Sequence, residues 1–361
     1  MKRAPSSRRN VLLFAAKACG AALLIGWLVR SGNLDLRALR VLFDRPSLLA
    51  MDLGLFALGA TVATLRFRVL LGIADVAVPF FTVLRLQMTA FFFNTVIPGS
   101  VGGDLVKALY VARDAPKEKR TTILLIAFVE RLLGLVALVL MGTLVTLARP
   151  GIWADPLLRP LATVVAALGG ATLFGGALAL LVVRKAGARL DAYTSGPSKI
   201  SKLLNQLVAS MRLLSAGPKR LFVALALSMA FHALGMAFFT VLTKALLDRD
   251  VPYSSVATVF PLGLLTLALP ISPSGLGVGH VAFKRLFEAI GLAGGATVFN
   301  VYLLGQIVPG LLGVFPFLSL RRRGELPTND ATADAAPAAP PSSHDDGSPA
   351  RPGRRDAGES D

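Results

Sequence analysis

Apolar residues fall along the chain in long blocks: Val11–Val29, Leu48–Leu65, Thr121–Leu147, Leu161–Val183, Leu221–Val241 and Ala296–Leu320. Each is near or above the ~18 residues that mark a transmembrane candidate, about 20 being needed to cross ~30 Å of hydrocarbon. The bilayer core holds no water to pair backbone N–H and C=O groups, so these blocks must be helices. No period-two pattern suggests a barrel. The blocks predict full spans over about 11–30, 47–71, 121–147, 160–183, 221–246 and 296–320.

Two further apolar runs are interrupted. Residues 79–112 are broken by Ile97-Pro98-Gly99-Ser100-Val101-Gly102-Gly103-Asp104, and residues 256–292 by Pro270-Ile271-Ser272-Pro273-Ser274-Gly275-Leu276-Gly277-Val278-Gly279-His280. Proline removes a backbone donor and glycine favours non-helical backbone, so each run is expected to be two half-helices joined by an irregular turn.

Charge orients these segments. With Lys2, Arg3, Arg8 and Arg9 in the cytoplasm, the basic positions Arg66, Arg68, Lys117–Arg120, Arg184, Lys185, Lys219, Arg220 and Arg321–Arg323 all fall on that side. Asp248-Arg249-Asp250 falls on the other. This is the distribution that the positive-inside rule requires. It holds only if each interrupted run starts and ends on one face, as a re-entrant hairpin or a pair of short spans. Three full spans separate the two runs, so the first is entered from the cytoplasm and the second from outside.

The expected architecture is therefore an all-α polytopic membrane protein with six full spans and two broken hairpins. Repeat 1 covers about 11–148 and repeat 2, inverted, about 158–320, a recurring plan of secondary transporters with sites at the repeat interface. The expected location is the bacterial inner membrane, with both termini cytoplasmic. Residues 1–10 form a basic N-terminus, 11–323 the membrane domain, and the Pro-, Ala- and Asp-rich residues 324–361 a disordered tail.

Composition agrees with that class. The chain is 54% hydrophobic with only 16% charged residues, well below the roughly 25% charged of a soluble domain. Its net charge of +17 invites a nucleic-acid reading, but the basic residues sit at the ends of apolar blocks, where they orient a membrane protein. The single cysteine, Cys19, excludes a disulfide or zinc framework. Ser7-Arg8-Arg9-Asn10 looks like a twin-arginine export signal, yet the apolar run continues past Ala16-Lys17-Ala18 to Trp27, as in a retained helix.

Three motifs occur in order: Asn94-x-x-x-Pro98-Gly99-x-x-Gly102-Gly103-Asp104, then Glu130-Arg131-Leu132-Leu133-Gly134-Leu135, then Pro270-Ile271-Ser272-Pro273-x-Gly275-x-Gly277. Together they resemble the lysylphosphatidylglycerol synthase transmembrane-region family, also called the flippase-like domain family, over roughly residues 10–320. The resemblance implies a lipid-flipping membrane domain. The aminoacyl-transferase domain of bifunctional members is not expected here, so synthesis of lysyl-lipid is not carried over. The second hairpin of relatives continues into an Arg-Glu pair, where this chain has Gly279-His280.

Candidate site residues follow from depth and chemistry. Glu130 and Arg131 lie about nine residues into their span, roughly 14 Å deep at 1.5 Å per residue. Charges there cost about 2.5–3.5 kcal/mol and face a partner or a wet cavity, marking either a pathway or a structural ion pair. Asp104, with Lys107 one turn on, either caps its half-helix or joins a Gly99–Gly102–Gly103 cradle for a lipid phosphate. Arg85 and Asn94 are expected to line the same cavity. In the second hairpin Ser274, Gly275, Gly277, His280 and Lys284 form the facing turn, with Lys284 and Arg285 either receiving a phosphate or snorkelling to the interface. His232 is a helix–helix hydrogen bond or a second proton-coupling candidate beside Glu130. Lys17 and Asp52 lie nearer the membrane faces and read as structural or interfacial.

The leading functional expectation is a transporter for an anionic phospholipid or polyprenyl-phosphate-linked lipid, working by alternating access without cofactor or metal. Enzymes of envelope-lipid or glycan biosynthesis are its expected protein partners. An intramembrane transferase using a lipid-linked donor, and a non-transporting accessory subunit of an envelope-lipid pathway, are the competing readings. Against the transferase, Asp35, Asp44, Asp155, Asp248 and Asp250 do not cluster, and no HExxH, GxSxG or Walker A motif occurs.

Overall fold

Long apolar runs bounded by proline set the helix starts. Pro46 and Pro218 each stand at the first helical position, where a missing N–H costs nothing. The computed structural model describes residues 40–96, 102–154, 159–194, 217–267 and 277–322, with Arg30, Pro156 and scattered positions between 201 and 215. The expected first span at about 11–30, both interrupting turns and the C-terminal tail lie outside the described residues.

All described elements are helical. They are α1 (Arg40–Asp44), α2 (Pro46–Leu71, continued by a 3-10 turn at Gly72–Ala74), α3 (Phe80–Val96), α4 (Gly102–Asp114), α5 (Lys117–Leu147) and α6 (Pro150–Ala154). There follow α7 (Arg159–Thr194), α8 (Pro218–Leu247), α9 (Tyr253–Leu267), α10 (Val278–Ala289), α11 (Gly295–Leu311) and α12 (Val314–Arg322). Among the described residues, four segments are long and apolar enough to cross a membrane: Pro46–Ala74, Lys117–Leu147, Pro218–Leu247 and Gly295–Leu320. The expected span at 160–183 lies inside α7.

The centre is an antiparallel pair, α2 against α8. Gly59 of α2 meets Phe231 of α8, and each stands thirteen residues after the proline that opens its helix. Both ends are clamped by an arginine reaching a carbonyl: Arg45 Nη1 donates to Ala245 O at 3.1 Å, and Arg220 Nη1 donates to Gly72 O. The α3–α4 pair packs on α2 and α5, and the α9–α10 pair on α8 and α11. The two groups also cross over, α5 touching α9 and α11 touching α3.

One expected span is not a single straight helix. Between α11 and α12 the chain makes a tight turn at Leu312-Gly313, within the segment predicted as 296–320. Pro309 brings no N–H, and the amides of Leu312 and Gly313 donate to the carbonyls of Pro309 and Gly310, three residues back. Gly313 then lies on the backbone of α3, where a Cβ would stand 1.9 Å from Met88 O.

Opposite ends of the bundle differ in charge. At one end Arg68 donates to Val78 O, Lys119 to Asp75 O, and Arg220 stands 3.8 Å from Asp75. At the other, Arg149 donates to Ser254 O and Lys244 pairs with Asp250. Outward positions of α7 such as Leu168, Leu173, Phe174 and Leu181 are exposed. In water so large an apolar face would be a liability; in a bilayer it is solvated by lipid.

Candidate functional site

Glu130 sits in the middle of α5 with only 3% of its side chain exposed. A carboxylate so placed needs cations and donors. It has them on both oxygens: Lys107 Nζ lies 2.8 Å from Oε2, and Arg66 donates to Oε1 from Nη2 at 3.1 Å and Nε at 3.3 Å. The Lys107 ammonium is wholly enclosed. It also donates to Gln87 Oε1 at 2.8 Å and stands 4.2 Å from the centre of the Phe67 ring. Arg66 donates in addition to Ser228 Oγ at 3.3 Å.

The network has an open edge. Asp104, at the start of α4, lies 3.9 Å from Lys107 and 3.8 Å from Arg131. Exposure rises from 3% at Glu130 to 26% at Asp104 and 41% at Arg131. Three basic and two acidic side chains are thus gathered from α2, α4 and α5, with polar groups from α3 and α8, at the joint where the first hairpin meets its following span.

A separate cavity of about 290 Å³ lies where α2, α3, α8, α9 and α11 converge. Its walls are mainly apolar (Leu55, Phe56, Phe91, Phe231, Phe238, Phe260), with Asn94, Thr95, His232, Tyr302 and Gln306 as polar points. Phe231 adjoins both regions: it lines the cavity, and the Arg66 guanidinium carbon lies 5.9 Å from its ring centroid.

The expected site residues separate into groups. Asp104, Lys107, Glu130 and Arg131 come together. Asn94 lines the cavity, but its Oδ1 also accepts the Gly103 N–H at 2.9 Å and so caps α4. Gly103 is a packing glycine, because a Cβ there would stand 2.0 Å from Ala90 O; Gly102 opens α4 beside it. Arg85 does not share Asn94's cavity. It is exposed on another side of α3. Gly99, Ser274 and Gly275 lie outside the described residues.

In the second hairpin Gly277 precedes α10 with φ +81°, a left-handed conformation that favours glycine. His280 follows, its Nε2 3.3 Å from Asn300 Oδ1 and its ring edge-on to Phe299. Lys284 does not join it: Lys284 is exposed and lines a separate hollow with Glu288 and Gly291. Phe283 instead stacks on Phe299, centroids 4.9 Å apart and planes within 11°. His232 Nε2 lies 2.9 Å from Gly134 O, an interhelical hydrogen bond between α8 and α5.

Sequence reasoning missed Arg66, Gln87 and Ser228. Arg66 read as a charge closing its span, whereas its side chain turns inward beside Gly134, the smallest residue of the Glu130 motif. Asp52, expected nearer a membrane face as structural or interfacial, is 2% exposed, between α2 and α11.

Residues 11–319 match the family model described as the lysylphosphatidylglycerol synthase TM region. The chain belongs to this family. It is also 23% identical over 330 residues to a UPF0104 membrane protein of Methanothermobacter thermautotrophicus, the alignment covering 85% of this chain and 92% of that relative. No solved structure matches the chain. Family membership and the helical bundle together make this a multi-pass membrane protein.

Proposed function

We propose that the protein moves an anionic lipid, a phospholipid or a polyprenyl-phosphate-linked lipid, between the leaflets of the bacterial inner membrane by alternating access. The observation that carries this reading is the charge network at the joint of the first hairpin: a closed Lys107–Glu130–Arg66 core and an accessible Asp104–Arg131 edge. A phosphate ester arriving at that edge competes with Asp104 for Arg131. Lipid chains need no aqueous channel and stay in hydrocarbon while the head group passes along the α3–α4 side.

Two correspondences support an inverted repeat, and with it alternating access. The antiparallel α2–α8 crossing occurs at corresponding positions of the two helices, and Gly103 and Gly279 are each the second residue of a hairpin's returning arm. The basic end of the bundle is the cytoplasmic one in this reading, with both chain termini there. Proton coupling through Glu130 or His232 is not part of it: both Glu130 oxygens are held by cations, and His232 Nε2 is engaged with the Gly134 carbonyl.

Reconstitution tests the proposal. Purified protein in liposomes is given fluorescent phosphatidylglycerol, phosphatidylcholine or a short polyprenyl phosphate, and leaflet exchange is followed by quenching from outside. Exchange of an anionic lipid should exceed that of phosphatidylcholine at least about tenfold, equivalent to ~1.4 kcal/mol of discrimination. Arg131→Gln should remove most of that preference. Equal exchange of all three lipids, or rates no higher than in empty liposomes, would sink the reading.

A further inference from the structure

Every buried charge of the network has a partner of opposite sign. Asp52 does not. It stands six residues into α2, about 9 Å along the helix from Pro46. It is 2% exposed, and its Oδ1 has no hydrogen-bond partner. Both carboxylate oxygens face Gly305 of α11, 2.9 and 3.0 Å from where a Cβ would stand, so a larger residue there would displace the carboxyl group.

The described surroundings offer no counter-charge. Among the described residues no lysine, arginine or histidine forms an ion pair with Asp52. The titratable group facing it is Tyr302 of α11, which also lines the central cavity. On the other elements packed against α2, charges are committed elsewhere or lie at the surface. Arg45 donates to Ala245 O and Lys244 holds Asp250; His232 of α8 bonds Gly134 O and Glu130 of α5 holds Lys107 and Arg66; α3 presents only the exposed Arg85, and α1 the exposed Arg40 and Asp44. An unpaired carboxylate in this setting is costly, whereas its protonated form is not.

Its place in the bundle gives that proton a use. Leu55 and Phe56, one turn after Asp52, line the cavity, as do Tyr302 and Gln306 on either side of Gly305. Parting α2 from α11 at Gly305 would open Asp52 to that cavity. We propose that Asp52 is a proton-carrying site of this protein, neutral when α2 and α11 are closed and ionised when they part, and that this exchange couples proton movement to the transport cycle. The step is a single protonation: one proton binds a carboxylate oxygen and leaves from it, and no other bond changes. The coupling half rests on the transport reading above; the titration half does not.

A carbodiimide tests titration directly, because it modifies a carboxyl group in its protonated form within an apolar environment. Membranes holding the full chain are treated with dicyclohexylcarbodiimide between pH 5 and pH 9, and the modified peptide is mapped by mass spectrometry. Modification should fall on Asp52, decline at least about tenfold across that range, and vanish in Asp52→Asn. No modification of Asp52 at any pH, an unchanging rate, or modification of Glu130 in its place overturns the proposal. The site of modification and its pH dependence are read in the wild-type chain and hold even if the variant folds poorly. In proteoliposomes an imposed pH gradient should drive anionic lipid several-fold faster in wild type and in Asp52→Glu, and not in Asp52→Asn. A gradient without effect in wild type, or with equal effect in Asp52→Asn, overturns the coupling. Absence of any lipid movement in wild type defeats the transport reading and the coupling with it, while the carbodiimide result still decides the titration.

Discussion

Removing one member of the Lys107–Glu130 pair leaves the other charge inside the bundle, and the structure ranks the two losses. Lys107→Met leaves Glu130 with Arg66, which still donates to Oε1 at 3.1 and 3.3 Å. The expected cost is at the lower end of the range for breaking a buried pair, about 3 kcal/mol. Glu130→Gln leaves Lys107 fully enclosed with only the Gln87 amide oxygen and an Asp104 carboxylate 3.9 Å away, and strips Arg66 as well. That loss belongs at the upper end, about 5 kcal/mol. Independent effects would bring the double variant to about 8 kcal/mol, but it contains neither stranded charge. Arg66 keeps Ser228 and some access to its surroundings, so the double variant should be no less stable than Glu130→Gln alone, a coupling of about 3 kcal/mol. Equilibrium unfolding in mixed micelles by titrated sodium dodecyl sulfate, followed by helical circular dichroism, measures all four corners of the cycle. Additivity within ~0.5 kcal/mol would refute the pairing.

Two further outcomes follow from packing and orientation. Gly103→Ala should abolish recovery of monodisperse protein in detergent, since its Cβ would stand 2.0 Å from Ala90 O, whereas Gly170→Ala, with open space around it, should change the melting transition little or raise it slightly. With Cys19 replaced by serine, single cysteines at Ala115 and at Ser254 should react with an impermeant thiol reagent from opposite sides of the membrane. These positions flank the two ends of α5, whose 31 residues span about 46 Å. Labelling of both from one side would remove the proposed orientation.

The spans were legible because length and apolarity act along the chain. The runs expected at 47–71, 121–147 and 221–246 became α2, α5 and α8 with boundaries moved by a few residues. The described helices α3 and α4 flank the interruption at Pro98, and α9 and α10 flank the one at Pro270–Pro273, the turns themselves lying outside the described residues. The break at Leu312-Gly313 escaped notice, although Pro309, Gly310 and Gly313 were present, because the apolar run continues through it. What a linear pattern withholds is the direction in which a helix turns its residues. Depth alone made Arg66 a closing charge, Asp52 a structural or interfacial one and Arg85 a cavity residue; packing turned the first two inward and the third outward. Glu130 was recognised because no depth correction removes a charge from the middle of a 31-residue span.

The two hairpins are fastened by different chemistry. On one side Lys107 clasps Glu130; on the other Phe283 lies flat on Phe299. An ionic clasp weakens as soon as water or a rival anion reaches it, while a pair of stacked rings is indifferent to both. In the proposed cycle, an anionic head group that draws Arg131 from Asp104 acts beside the ionic joint and leaves the stacked one untouched. If the proposed transport holds, the first joint yields before the second, and the sequence of movements is set by how the two arms are fastened.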